Sequence, residues 1–310
     1  MKNNLGGQYM INKKTIITLG LFLTICASLC VYADEGSDVG TFEELASIVS
    51  GDDKTGEIIL TKNFVNTDGY DASGIKVTGH DLVIKGEPGK DITLDAKSAG
   101  RIFNANGTKN VRFENIRFVN GNAEGAGGAV ILGDEASNKV VNCTFEGCSA
   151  SEFGGALDGN AENSVFKNCN STHHGGAIFD GYATNCEFEK CFSTSQGGAI
   201  SYHNASNCTF TNCYAWWQGG ALYHADAVGC KFINCYASEG GSMYEGSAFD
   251  CQFENSVAKN GSGGAAYNVV ASGCKFSGCS VTGGEGSAMY GGSATNCEMG
   301  ADEAVNVTMK

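Results

Sequence analysis

An apolar or cysteine residue, then any residue, then phenylalanine recurs along most of this chain at a nearly fixed interval. The units begin at Ile116, Cys143, Ser164, Cys186, Cys208, Cys230, Cys251, Cys274 and Cys297, in steps of 27, 21, 22, 22, 22, 21, 23 and 23 residues. Their third position reads Phe118, Phe145, Phe166, Phe188, Phe210, Phe232, Phe253, Phe276 and then Met299. A Gly-Gly-Ala-like step follows 10 to 12 residues after each start, as at Gly154-Gly155-Ala156, Gly197-Gly198-Ala199 and Gly219-Gly220-Ala221. A unit this short cannot bury its inner face alone, so the repeat implies a solenoid in which neighbouring units cover one another.

The spacing inside a unit selects the kind of solenoid. Cys208 and Phe210 are two apart, as are Cys213 and Ala215, which is strand periodicity. Asn212 lies between those pairs, and Asn168, Asn234 and Asn255 hold the same place. Asparagine tolerates the left-handed backbone of a sharp corner. There is no leucine ladder and no 3.6-residue period, which excludes leucine-rich and helical repeats. The predicted fold is all-β: a single-stranded parallel β-helix of about 22 residues per rung, with the phenylalanines stacked at the strand spacing of roughly 4.7–4.9 Å.

The ends are read separately. Lys13 and Lys14, the apolar run Ile16 to Ile25 and the small-residue end Val31-Tyr32-Ala33 have the form of a secretory signal peptide over residues 1–33, with an uncleaved anchor as the alternative. Its removal leaves 17 basic against 34 acidic residues, a charge of −17 against −14 for the whole chain. That acidity excludes nucleic acid as a partner, and no second membrane span is expected. Residues 34–115 read as an N-terminal cap and irregular first rungs, and 116–310 as regular repeats. Thr41-Phe42-Glu43-Glu44 is a capping-box pattern, and Leu45, Ile48 and Val49 follow at helical spacing, so a short helix covers the start of the stack. The last rung, Asn306 to Lys310, is partial, and this uncapped end is either frayed or suited to end-to-end self-association.

Two cysteine columns run along the repeats. One holds Cys143, Cys186, Cys208, Cys230, Cys251, Cys274 and Cys297; the other holds Cys148, Cys169, Cys191, Cys213, Cys235 and Cys279. Ser164 interrupts the first and Ser256 the second, each leaving one cysteine of its rung alone. Buried free thiols are therefore expected, with disulfides between rungs or metal ligation as alternatives. No cofactor and no metal site are assigned.

The Gly-Gly-Ala step paired with the F-x-x-C step, and the run Leu82-Val83-Ile84 to Ile92-Thr93-Leu94-Asp95 followed by Arg101-Ile102-Phe103 and Asn115-Ile116-Arg117-Phe118, give the chain a family likeness. It resembles polymorphic outer membrane protein repeats and the adhesin-like proteins of methanogenic archaea, over roughly residues 41–310. The resemblance implies a right-handed parallel β-helix on a secreted or cell-surface protein with an adhesive role. Two features depart from it: cysteine replaces the usual asparagine at Cys148 and its equivalents, and no C-terminal translocator barrel is recognised.

Candidate site residues follow from strand phase. If Cys213 and Ala215 point inward, the residue between them points out, and that column places Phe192, Tyr214 and Tyr236 on consecutive rungs, with Trp216 and Trp217 beside them. Exposed aromatic rows suit sugar rings or a protein partner. His173 and His174 are added as candidate ligand-binding residues, with a surface turn as the plainer reading. A second column, Tyr223, Tyr244, Tyr267 and Tyr290, follows the glycines, whose bend hides its direction. Asp158 and Asp180 occupy similar places in neighbouring rungs, and the other acids of the repeats look scattered. No nucleophile with its base is visible. The expected function is adhesion to a cell-surface glycan or protein without catalysis. A polysaccharide-acting lyase or hydrolase and a structural spacer are the alternatives.

Overall fold

A computed structural model describes residues 39–67, 69–133, 135–300 and 303–310, together with the backbone of Val31–Tyr32. The protein is a right-handed parallel β-helix of about 11 turns. Three parallel sheets of 21, 11 and 8 strands among the described residues form its faces. From Asn122–Ala123 to Ser280–Val281 the chain visits all three in each rung, and the earlier strands lie in the first two. In one rung, Thr209–Thr211 lies in the second sheet, Tyr214–Ala215 in the third and Leu222–Tyr223 in the first.

The register is set by the phenylalanine column. Phe118, Phe145, Phe166, Phe188, Phe210, Phe232, Phe253 and Phe276 are paired one after another. Successive rings stack at 4.7 to 5.0 Å between centroids. The column continues backwards through Leu94 and Phe64, so the rungs before Ile116 belong to the same core. The predicted helix spans Phe42–Val49. The Thr41 side chain accepts from the Glu44 N–H, and Phe42, Leu45 and Val49 are buried in the core. Of the predicted leader, only Val31–Tyr32 fall within the described residues; they pair with Ile58–Ile59.

The glycine step has two separate causes. Gly197 has a φ of +62°, which side-chain-bearing residues adopt at a cost. Gly198 has no room instead: a Cβ there would stand 2.1 Å from the Gly220 carbonyl oxygen of the next rung.

The thirteen cysteines of the repeats are free thiols, eleven of them buried. Each rung offers its sulfur the same carbonyl acceptors. Cys208 Sγ lies 3.3 Å from Ser206 O in its own rung and 3.5 Å from Ala183 O in the preceding one. Ser164 fits the same slot, with its hydroxyl donating to Glu162 O at 2.7 Å and accepting from the Cys143 N–H at 3.1 Å. A small buried group with one weak donor is what the position requires, and serine supplies it as well as cysteine.

Candidate functional site

The glycine bend folds the third sheet onto the first and brings three outward columns together. The first column precedes the glycines: Phe153, His174, Gln196, Gln218 and Glu239 are bridged in succession. Gln196 Nε2 donates to Gln218 Oε1 at 2.8 Å, and Gln218 Nε2 to Glu239 Oε2 at 3.1 Å. The second column follows the glycines: Phe179, Ser201, Tyr223, Tyr244, Tyr267 and Tyr290. The third is the next residue in each rung, Asp180, Tyr202, His224, Glu245 and Asn268.

In that third column left-handed backbone falls on tyrosine and glutamate, which do not favour it, as well as on asparagine, aspartate and histidine, which do. Asp180, Tyr202, His224, Glu245 and Asn268 have φ of +52°, +72°, +48°, +55° and +52°. At the other two corners, from Asn142 onward, the left-handed position is held by asparagine or glycine except at Lys190 and Asp250. A left-handed tyrosine or glutamate costs on the order of 1–3 kcal/mol each, and such strain clusters where side-chain chemistry is required.

The side chains converge. His224 Nδ1 lies 3.0 Å from Glu245 Oε2, and His203 Nδ1 lies 3.0 Å from Asp180 Oδ1. The His224 ring is 4.2 Å from that of Tyr223 and 6.0 Å from that of Tyr202, between centroids. His174 packs on Phe153 at 5.6 Å, Tyr202 at 5.6 Å and Tyr223 at 5.9 Å. Its Nδ1 is shielded from solvent and has no hydrogen-bond partner among the described residues.

Burial sets the charge state of this corner. Desolvation, with His173 and His224 adding to it, pushes His174 below the usual imidazole range, so it is neutral near pH 7. Tyr244 is pushed up to about 12 by burial and by the carboxylates of Glu239 and Glu245. Tyr223 is raised by burial, then by Tyr202 and Glu245. Both phenols hold their protons as donors. The Glu245 carboxylate faces Nδ1 of His224.

The residues predicted from strand phase divide between two faces. Phe192, Tyr214 and Tyr236 form an outward ladder on the third sheet, stacked at 4.7 and 4.8 Å. Trp216 and Trp217 stand beside it, 64% and 63% exposed. His174 is not with them, because it belongs to the corner cluster. His173 lies near Phe153, with ring centroids 5.8 Å apart, and its Nδ1 is 3.3 Å from Thr172 Oγ1. One detail of the sequence reading is corrected: Asp158 pairs with Phe179, so Asp180 occupies the following, left-handed place. Glu245 lies one rung from His224 in the same column. The signal was present, since the steps from Asp180 to Asn268 are 22, 22, 21 and 23, the same as those from Phe188 to Phe276.

Residues 155–301 match the family described as the right handed beta helix region. That is the fold found here. Among solved structures, the A-module of mannuronan C-5 epimerase AlgE6 from Azotobacter vinelandii is 10% identical, with a TM-score of 0.41 over 92% of this chain and 91% of that one. The AlgE4 A-module from the same organism is 12% identical, with a TM-score of 0.29 over 88% and 92%. ORF18 of Geobacillus virus E2 is 11% identical, with a TM-score of 0.32 over 86% and 56%. No curated protein matches the sequence. The expectation of a chain without catalysis is withdrawn, since two of the solved structures the chain is similar to are mannuronan C-5 epimerase modules.

Proposed function

We propose that this β-helix is a carbohydrate-active protein that processes a glycan polymer along the glycine corner. The observation that carries the reading is the His224–Glu245 pair, set among Tyr202, Tyr223 and Tyr244 on left-handed backbone. An imidazole oriented by a carboxylate and flanked by protonated phenols can take one proton and deliver another, the requirement of general acid–base catalysis. The phenol hydroxyls and the Gln196–Gln218–Glu239 ladder offer polar groups at rung spacing for sugar hydroxyls. The carboxylates that act on the tyrosines are Glu239 and Glu245, which favours neutral or amino sugars at this corner over uronates.

The test is product formation on a panel of neutral, amino and acidic polysaccharides, read as new reducing ends, unsaturated products and changed sugar configuration. Turnover by the natural chain and its loss in His224→Asn supports the reading. No product from any polymer overturns it. Adhesion to a surface glycan is the second reading, supported by the exposed Trp216 and Trp217 beside the half-buried ladder of Phe192, Tyr214 and Tyr236.

A further inference from the structure

The floor of the glycine corner is a row of phenols. Tyr223, Tyr244, Tyr267 and Tyr290 pair on consecutive rungs, and their ring centroids follow one another at 5.7, 4.8 and 5.3 Å. The rings turn their faces along the axis to one another, so what the row offers outward is hydroxyl edges. Among the described residues none of the four hydroxyls has a protein hydrogen-bond partner, and none is sealed from solvent. Burial first, then nearby carboxylates and phenols, holds Tyr223, Tyr244 and Tyr267 above the usual phenol range, which keeps their hydroxyls protonated near pH 7.

Polar columns flank this row on both sides. Before the bend, Gln196, Gln218 and Glu239 form a ladder that uses one N–H of each amide and leaves the second free to donate. After the bend, His224, Glu245 and Asn268 follow one to a rung, at half-buried or exposed positions. Tyr244 lies between the two columns, since Glu239 on one and Glu245 on the other both act on its phenol. The corner is therefore a straight strip with polar groups repeated at rung spacing along its middle and both edges.

An extended β-1,4-linked chain of pyranoses has the matching form. It is straight, and it advances per sugar by nearly the height of one rung. Successive sugars are turned over, so like hydroxyls point alternately to one side and the other, and a surface that holds such a chain needs polar groups along both edges. An α-1,4 or β-1,3 chain coils and leaves a straight ladder after a few sugars. We infer that this strip binds an extended, neutral β-1,4-linked glycan parallel to the solenoid axis, one sugar to a rung over Tyr223, Tyr244, Tyr267 and Tyr290. The inference rests on the reading of this corner as the glycan site and adds linkage and direction to it, without depending on turnover.

Calorimetric titration with cello-, N-acetylchito- and β-manno-oligosaccharides of two to six sugars tests this, with malto- and laminari-oligosaccharides of the same lengths as coiled controls. In at least one β-1,4 series, affinity is expected to rise at least threefold with each sugar up to four, one per tyrosine, and then to level off, because each added sugar exchanges water for a few modest hydrogen bonds. The coiled controls bind at least tenfold more weakly at four sugars. Tyr267→Phe keeps the ring stack and the melting temperature and weakens the tetrasaccharide at least threefold. His224→Asn keeps the dependence on length, so loss of turnover and loss of this alignment are read separately. Affinity that stops rising at two sugars, coiled chains bound as tightly, an unchanged tetrasaccharide affinity in Tyr267→Phe, or no binding in any β-1,4 series would each overturn the inference.

Discussion

His224 Nδ1 and Glu245 Oε2 stand 3.0 Å apart although 21 residues separate them in the chain. The separation is one rung of the solenoid, so the pair is made by stacking. Its consequence for activity can be isolated from its effect on stability, because asparagine is at home in the left-handed backbone that both residues occupy. Asn268 already fills the same place further along. His224→Asn and Glu245→Asn are expected to leave the melting temperature unchanged or higher, while turnover falls by about 10²–10⁴, the usual contribution of a positioned acid–base group. Retained turnover in both variants would remove the pair from the mechanism.

The phenylalanine stack makes a graded stability prediction. Phe210 is fully buried between Phe188 and Phe232, whereas Phe276 is 8% exposed and its column continues into Met299. Phe210→Ala should cost roughly 3–5 kcal/mol and Phe276→Ala clearly less. Chemical denaturation measures both, and equal losses would mean that the stack does not act as one core.

Gly198→Ala tests the crowding at the glycine bend. The added methyl meets the Gly220 carbonyl oxygen at 2.1 Å and cannot be relieved by a rotamer change. A loss of at least about 1–3 kcal/mol is expected from the backbone shift. Gly283→Ala, where the nearest atom lies at 3.3 Å, should be milder. The comparison is a pair of denaturant midpoints.

The thiol ladder predicts sensitivity to alkali. Burial pushes Cys143 from 9.0 up to about 12. Above pH 9 the unfolded chain releases this proton and the folded chain keeps it, so the unfolded state binds fewer protons and stability falls as pH rises toward 12. The slope is about 1.4 kcal/mol per pH unit for each such thiol. Cys208, Cys230 and Cys251 are likewise held up to about 12, first by the neighbouring ladder thiol. Melting temperatures from pH 7.5 to 10.5 should therefore decline, and Cys143→Ser, which repeats the natural Ser164 arrangement, should flatten the decline by one thiol's share. A flat profile in the natural chain would contradict the buried-thiol account.

The rung was legible in the sequence because each of its parts depends on local chemistry. Phe210 and Cys208 alternate as a strand must, Asn212 turns a corner, and Gly197-Gly198 marks a bend where a side chain is excluded. Repetition then fixes the stacking, because only one register puts every phenylalanine on another. The outward ladder of Phe192, Tyr214 and Tyr236 follows from the same parity. The far side of the glycine bend did not, because two left-handed or crowded residues break the alternation and hide which way Tyr223 points.

The solenoid, its period, its core and its outward third-sheet ladder follow from residue spacing within one rung and its faithful repetition. Which chemically different residues meet is set by the three-dimensional fold. His174 joins Tyr223, His224 joins Glu245, and Lys259 settles on Tyr236 through contacts across a bend or between rungs. The physical reason is that such contacts depend on the angle of the glycine bend and on side-chain direction, and neither is carried by the period of the repeat.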